Sequence, residues 1–335
     1  MDDPDFTKLF EDSGALVVAD RFCFGSLPGR DEIILNNEED VLTQICRHYM
    51  EGLQCPRHMN IEKVNSRKLV RRFVAEEKDV EAIASFYALS DCTVSFNNKW
   101  VDEHSPVEAF DKDTGTVTLS YYARAGLSDG HEYVIDNVKE TFRKPGQWYL
   151  DKKEGMLYCI PSDKKQKVED YYVYAPQTEK LIDITGTRAD NVSGIVFRNI
   201  TFAYTRGDYV SDSTGIKRAS DPQSVCAAGA AITLKYASNI RFEDCTLRNY
   251  GLHGMCINEG CYGVTVDGCE FYDGGAGGVR INGADANGDK ADMTYGNTIT
   301  DCTMKHLGRR YRAGCGILSM HSYENNFIHN EISDL

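Results

Sequence analysis

No stretch of this sequence is apolar for long enough to cross a membrane as a helix, which takes roughly 18 consecutive residues. The amino terminus, MDDPDFTKLFEDSG, is acidic and lacks the apolar core of a secretory signal, so the chain reads as cytoplasmic. Proline is scarce, 8 in 335 residues, against 29 glycines, a balance that fits many tight turns better than disorder. Positive charge is in deficit. The formal net charge of −14 argues against nucleic acid or anionic membrane as partners, since both would repel it. Also missing are a P-loop, a GxGxxG after a strand, zinc-ligand spacing and a Ser–His nucleophile motif. Length is ample for two or three domains.

What is present is a repeat. In NIRFEDCTLRNYGLHGMCINEGCYGVTVDGCEFYDGGAGG, superposing Cys245 on Cys269 brings Ile240 onto Val264, Phe242 onto Val266, Leu247 onto Phe271, Asn249 onto Asp273 and Gly251 onto Gly275. The frame recurs around Cys302 with Ile299, Met304, His306 and Gly308, around Asn330 with Phe327, Ile332 and Asp334, and upstream at Ile195, Phe197, Ile200, Phe202 and Tyr204. Inside each unit apolar residues alternate briefly and are then broken by Asn, Asp or Gly, the mark of short strands and tight turns. The period, 24 residues from Cys245 to Cys269, belongs to a solenoid. The expected fold is therefore mainly β: a right-handed parallel β-helix over 181–335, preceded by a β-rich capping region (88–180) and a short α/β leader (1–82). Phe197, Phe242, Val266, Ile299 and Phe327 should form one inward ladder, and Cys245, Cys269 and Cys302 a second, as buried thiols rather than bridges.

The leader differs in style. GALVVADRFCFGS (14–26) reads as a buried strand, and EEDVLTQICRHYMEGL (38–53) and SRKLVRRFVAEEKDVEAI (66–83) as amphipathic helices. These segments resemble an internal piece of a 2-hydroxyacyl-CoA dehydratase or benzoyl-CoA reductase subunit. That family holds an iron–sulfur cluster on well-separated cysteines, but a piece this short encloses no acyl-CoA site. Cys23 and Cys55 read as buried thiols, and no cofactor is expected.

From 88 onward the chain is strand-rich. CTVSFNNKWV, PVEAFDKDTGTVTLSYYA and EYVIDNVKETF alternate, with Asp-Lys-Asp-Thr-Gly as a hairpin turn. PGQWYLDKKEGMLYCIP reads as two strands joined across Asp151 to Gly155, whose aromatic pair suits a cap on the solenoid's open end, with a sugar-binding role for Trp148 as the alternative. The order YVIDNVKETFRKPGQWYLDKKEGMLYCIP, VSGIVFRNITF, GCYGVTVDGCEFYDGGAGGVRI, HNEISDL resembles right-handed β-helix carbohydrate-active enzymes, in particular glycoside hydrolase family 141, which includes α-L-fucosidases and xylanases. The resemblance implies an enzyme on plant-type polysaccharide or pectin side chains, and a chain that stops short of the family's last coils.

Glycoside hydrolysis needs two carboxyl groups across the scissile bond. The most polar column of the repeat lies four residues after the ladder cysteine: Tyr204, Asn249, Asp273, His306, Asp334. Asp273 is the leading catalytic candidate, with Asp334 or Glu331 as partner, unless the column merely marks a solvent-exposed turn. Arg280 is a candidate to bind a sugar hydroxyl or carboxylate, or else to pair with Asp273. His306, His253, His321 and Glu259 complete the substrate-binding candidates. Gly274–Gly278 either clear a surface for substrate or make a sharp corner. ADANGDKAD begins like a calcium loop through Asp285, Asn287, Asp289 and Asp292, but Lys290 stands where glycine is required and no twelfth-position Glu follows. A solvated insertion without metal is the expectation.

Three readings stay open: a monomeric glycoside hydrolase on oligo- or polysaccharide, a polysaccharide lyase on the same fold with Arg280 as base, and a non-catalytic, truncated fusion with an incomplete site.

Overall fold

A computed structural model of the chain describes residues 61–335, apart from 65–66, 98–100, 125–126, 128–132, 162–164, 166–173, 214–215 and 286. The strand expected over 14–26, the helix over 38–53, Cys23 and Cys55 lie outside the described residues. The described residues fall into two compact units, one of those between 61 and 165 with those of 210–220, the other of 174–209 with those of 221–335.

The first unit is built on a mainly antiparallel sheet, to which Ile216–Arg218 adds one parallel pairing. Strands β1 (Ile61–Val64), β2 (Arg67–Val74), β3 (Thr93–Asn97), β4 (Asp102–Asp111), β5 (Thr116–Ala123) and β6 (Tyr133–Asp136) take the order β1-β2-β5-β4-β3-β6. Phe73, Phe96 and Tyr133 fill its core, Phe73 and Tyr133 meeting edge to face with centroids 4.8 Å apart. The β4–β5 turn forms where the sequence asks for it: the Asp111 carboxylate accepts from the Asp113 N–H at 3.0 Å, and Gly115 takes φ 65°.

One expectation for this unit is corrected. Residues 66–83 do not form one helix: 67–74 is strand β2, and only Glu77–Ala84 is helical, as α1. The cause is a bulge. The β2–β5 register shifts between Val70 and Arg72, so Val70 and Phe73, three apart, are both buried and imitate helical spacing. Because β2 pairs with β5, the sheet also runs through the leader boundary expected at 82. Strands β7 (Trp148–Asp151) and β8 (Met156–Cys159) form the expected hairpin, with Tyr149 opposite Tyr158 and Trp148 left 66% exposed.

The second unit is a right-handed parallel β-helix. Its first sheet stacks Val196–Arg198, Arg241–Glu243, Thr265–Asp267, Thr298–Thr300 and Asn326–Ile328. Thr201–Ala203, Thr246–Arg248, Glu270–Tyr272, Thr303–Lys305 and Glu331–Ser333 make the second. The third holds Ile182–Thr185, Ala230–Lys235, His253–Ile257, Val279–Asn282 and Ile317–Met320. Register follows the sequence repeat: Phe197, Phe242, Val266, Ile299 and Phe327 align in one column. Phe197 and Phe242 stack with centroids 4.7 Å apart. Burying a ring such as Phe242 contributes about 2–3 kcal/mol.

Cys245, Cys269 and Cys302 are buried free thiols, as the repeat predicts. Burial raises the pKa of Cys245, and a hydrogen bond to Cys302 together with burial raises that of Cys269. Both stay protonated, as apolar filling between the first and second sheets requires.

Candidate active site on the solenoid

Every coil leaves the second sheet through a left-handed residue: Tyr204 (φ 63°), Asn249 (52°), Asp273 (55°), His306 (53°) and Asp334 (54°). The corner between the first and second sheets repeats the pattern at Asn199, Asp244, Gly268, Asp301 and His329. Asn and Asp tolerate this conformation best among residues with a side chain. The backbone therefore accounts for much of the column's polarity, and what distinguishes Asp273 is its surroundings.

Its carboxylate accepts from the Asn249 amide at 2.7 Å and lies 3.4 Å from Arg309 Nε, while the side chain remains 38% exposed. The exposed ring of Tyr272 meets His306 edge-on at 5.1 Å. Beneath lies Tyr250, fully buried, its hydroxyl without a partner and its pKa raised by burial and then by the charge of Asp273. A Cβ on Gly274 would stand 2.4 Å from the Tyr250 ring, so glycine lets the chain pass over it. Gly251 and Gly275 approach as backbones: a Cβ on Gly275 would lie 2.0 Å from the Gly251 carbonyl oxygen. These glycines serve coil-on-coil packing.

Asp334 and His306 share the column with Asp273, His306 in the coil between. Strand spacing puts the two aspartates roughly 9–10 Å apart. Glu331 is ion-paired with Lys305 Nζ at 2.6 Å. These four candidates thus lie along one edge of the solenoid.

The other four belong to the third sheet and the turns beside it. His253 is buried, with Nε2 2.9 Å from the Val225 carbonyl and Nδ1 accepting from the Gly277 N–H at 3.2 Å. Burial lowers its pKa to about 4. Arg280 is bound to the Cys226 carbonyl and to Asn258 Oδ1, so the cation beside Asp273 is Arg309 instead. Glu259 pairs with Lys235. His321 Nδ1 lies 3.0 Å from Asn282 Oδ1.

Sequence reasoning missed Asn249, Arg309 and Asn258 as partners. Asn249 was visible in the column, but Arg309 sits in an extension that breaks the repeat, and Asn258 carries no motif. The ADANGDKAD segment is less solvated than expected, because Asp292 is buried against Arg188 and the Tyr236 hydroxyl. The hydrogen bond from the Tyr236 hydroxyl, then the hydrogen bond and charge of Arg188, hold the pKa of Asp292 low.

Residues 182–334 match the family model of the right-handed β-helix region, and residues 1–104 match that of the 2-hydroxyglutaryl-CoA dehydratase D-component. A solved structure named as a glycoside hydrolase is similar over 84% of this chain, with TM-score 0.65 and 18% sequence identity. The chain spans 59% of the length of that structure. No curated protein matches the sequence significantly. Among the described residues no helix is long and apolar enough to cross a membrane.

Proposed function

We propose that this chain is a carbohydrate-active β-helix protein of the glycoside hydrolase type, acting on plant-type polysaccharide or pectin side chains of the fucoside or xyloside class. Asp273 is the leading carboxylate, with Asp334 or Glu331 as its partner. The observation that carries this reading is the half-exposed Asp273 carboxylate, oriented by Asn249 and flanked by Arg309, Tyr272 and His306. A fold shared with a solved glycoside hydrolase supports it.

Two carboxyl groups about 5 Å apart serve retention of configuration, and about 6.5–9.5 Å leaves room for the water of an inverting displacement. The Asp273–Asp334 column, at roughly two strand spacings, lies nearer the second. One carboxyl would protonate the leaving oxygen while the other takes a proton from the attacking water. Arg309 and Asn249 fix the rotamer of Asp273, and the Tyr272 ring offers an apolar surface for a sugar face.

Asp273→Asn tests this on aryl fucosides, aryl xylosides and pectic oligosaccharides. Turnover is expected to fall about a hundred-fold or more, with the thermal midpoint unchanged because the amide still suits the left-handed corner. Undiminished turnover would remove Asp273 from the mechanism. An unsaturated, ultraviolet-absorbing product would favour a lyase instead.

A further inference from the structure

Tyr204 is the exception in its column. The other left-handed corners after the second sheet carry Asn, Asp or His, which suit that conformation, whereas a bulky tyrosine at φ 63° is an outlier. Its ring does not serve the core. Among the described residues it belongs to neither apolar cluster of the solenoid and stacks instead on Tyr174, with centroids 4.3 Å apart and planes 5° from parallel. Tyr174 is left 61% exposed.

The pair is held in place. The Arg248 guanidinium lies over the Tyr204 ring, 5.8 Å from its centroid. The Arg206 N–H donates to the Thr178 carbonyl at 2.7 Å and the Arg206 guanidinium pairs with Glu179 at 2.6 Å, which ties the segment carrying Tyr174 to the coil carrying Tyr204. Among the described residues neither tyrosine hydroxyl has a partner, so both are free to bond a ligand. An exposed ring fixed in orientation offers an apolar body and a polar tip, which suits the C–H face and the hydroxyls of a sugar.

Position links this pair to the candidate site. Arg248 stands beside Tyr272 in the outward row of the second sheet, and the Tyr272 ring is itself 48% exposed. Tyr204 precedes Asp273 by two coils in the corner column, roughly 9–10 Å along the solenoid. One sugar ring held at Asp273 does not span that distance. A ring resting on the tyrosine pair therefore belongs to a further unit of the same oligosaccharide, laid along the solenoid axis.

We propose that Tyr174 and Tyr204 form a remote subsite that stacks an uncharged pyranose unit of an oligosaccharide whose scissile bond lies at Asp273. The identity of the ligand rests on the carbohydrate-active reading above; the exposed, braced tyrosine pair does not. That reading is deepened in one respect: the substrate is a chain of several sugars, not a single terminal one.

Calorimetric titration of the full chain with thio-linked xylobiose and thio-linked xylopentaose, which resist hydrolysis, tests the subsite. The pentamer is expected to bind about ten-fold tighter or more than the dimer. Tyr174→Ala should bring the pentamer down to the level of the dimer, and Tyr174→Phe should keep most of the preference, because the ring face does the stacking. Tyr174 is exposed, so neither substitution threatens the fold. Tyr204→Asn reads the same subsite at its second ring: asparagine suits the left-handed corner, so the thermal midpoint should hold or rise while the length preference falls. Dimer and pentamer bound alike, no binding of either, or a preference that survives Tyr174→Ala would overturn the subsite. The two readings fail separately. Turnover of aryl glycosides lost in Asp273→Asn, with dimer and pentamer bound alike, overturns the subsite alone. A length preference lost in Tyr174→Ala, with turnover indifferent to Asp273, overturns the hydrolase assignment alone.

Discussion

His253 has both ring nitrogens engaged in a way that only the neutral imidazole allows. Nδ1 accepts from the Gly277 N–H, so the proton sits on Nε2 and points at the Val225 carbonyl. Protonating Nδ1 would set two N–H groups against each other in a buried site. In the unfolded chain the ring takes up its proton near pH 6.5, whereas in the fold it resists until about 4. The unfolded state therefore binds more protons between these values, and stability falls as pH falls through that window. The contribution is complete above about pH 6.5 and amounts to roughly 3 kcal/mol. Urea unfolding from pH 7 to pH 4.5 should show His253→Gln losing less stability than the parent, so that the gap between them narrows on acidification. Parallel slopes would mean that the imidazole takes no part in acid sensitivity.

At the scale of the element, the corners set the coil. Their left-handed residues turn the chain between sheets, and the glycines where the second sheet gives way to the third let successive turns touch. A Cβ on Gly251 would lie 2.2 Å from the Gly207 nitrogen, whereas one on Gly229 would meet only Leu252, at 3.8 Å. Gly251→Ala should accordingly cost about 3 kcal/mol or more through overpacking, with Gly229→Ala near neutral; thermal melts of the two variants side by side check this. The same elements show what the sequence made legible. Inward ladders were readable because one apolar residue recurs at one register position in each coil, as Phe242 on Val266 does. The candidate edge was readable in part, since the column holding Asp273 is continuous. Yet the left-handed corner selects Asn and Asp for conformation as well as for chemistry, and pattern alone cannot separate the two. Arg309 and the covered state of Arg280 were hidden, because both depend on segments outside the repeat. Strand β2 was misread because a bulge mimics helical spacing.

At the scale of the whole solenoid, strand pairing joins each coil only to the coils before and after it, with a few longer ties such as Tyr311 to the Gly207 carbonyl and Arg188 to Asp292. Its stability is then close to a sum of nearest-neighbour terms. Middle coils bury their ladders on both sides, whereas Phe327, Ile328 and Ile332 in the last coil remain exposed. Parallel register makes the stack mechanical as well as thermodynamic. A stretching force between residue 181 and Leu335 loads the coils in series and peels them from the weaker end. Successive coils are separated by 45, 24, 33 and 28 residues, read from Thr201, Thr246, Glu270, Thr303 and Glu331 in neighbouring strands. Each release should lengthen the chain by about 3.5 Å per residue, or roughly 80–160 Å. Single-molecule extension should therefore trace a sawtooth of unequal teeth, where a one-step rupture would mean that the coils yield together. The irregular insertions that blur the repeat on paper would thus be readable, one by one, as the lengths of those teeth.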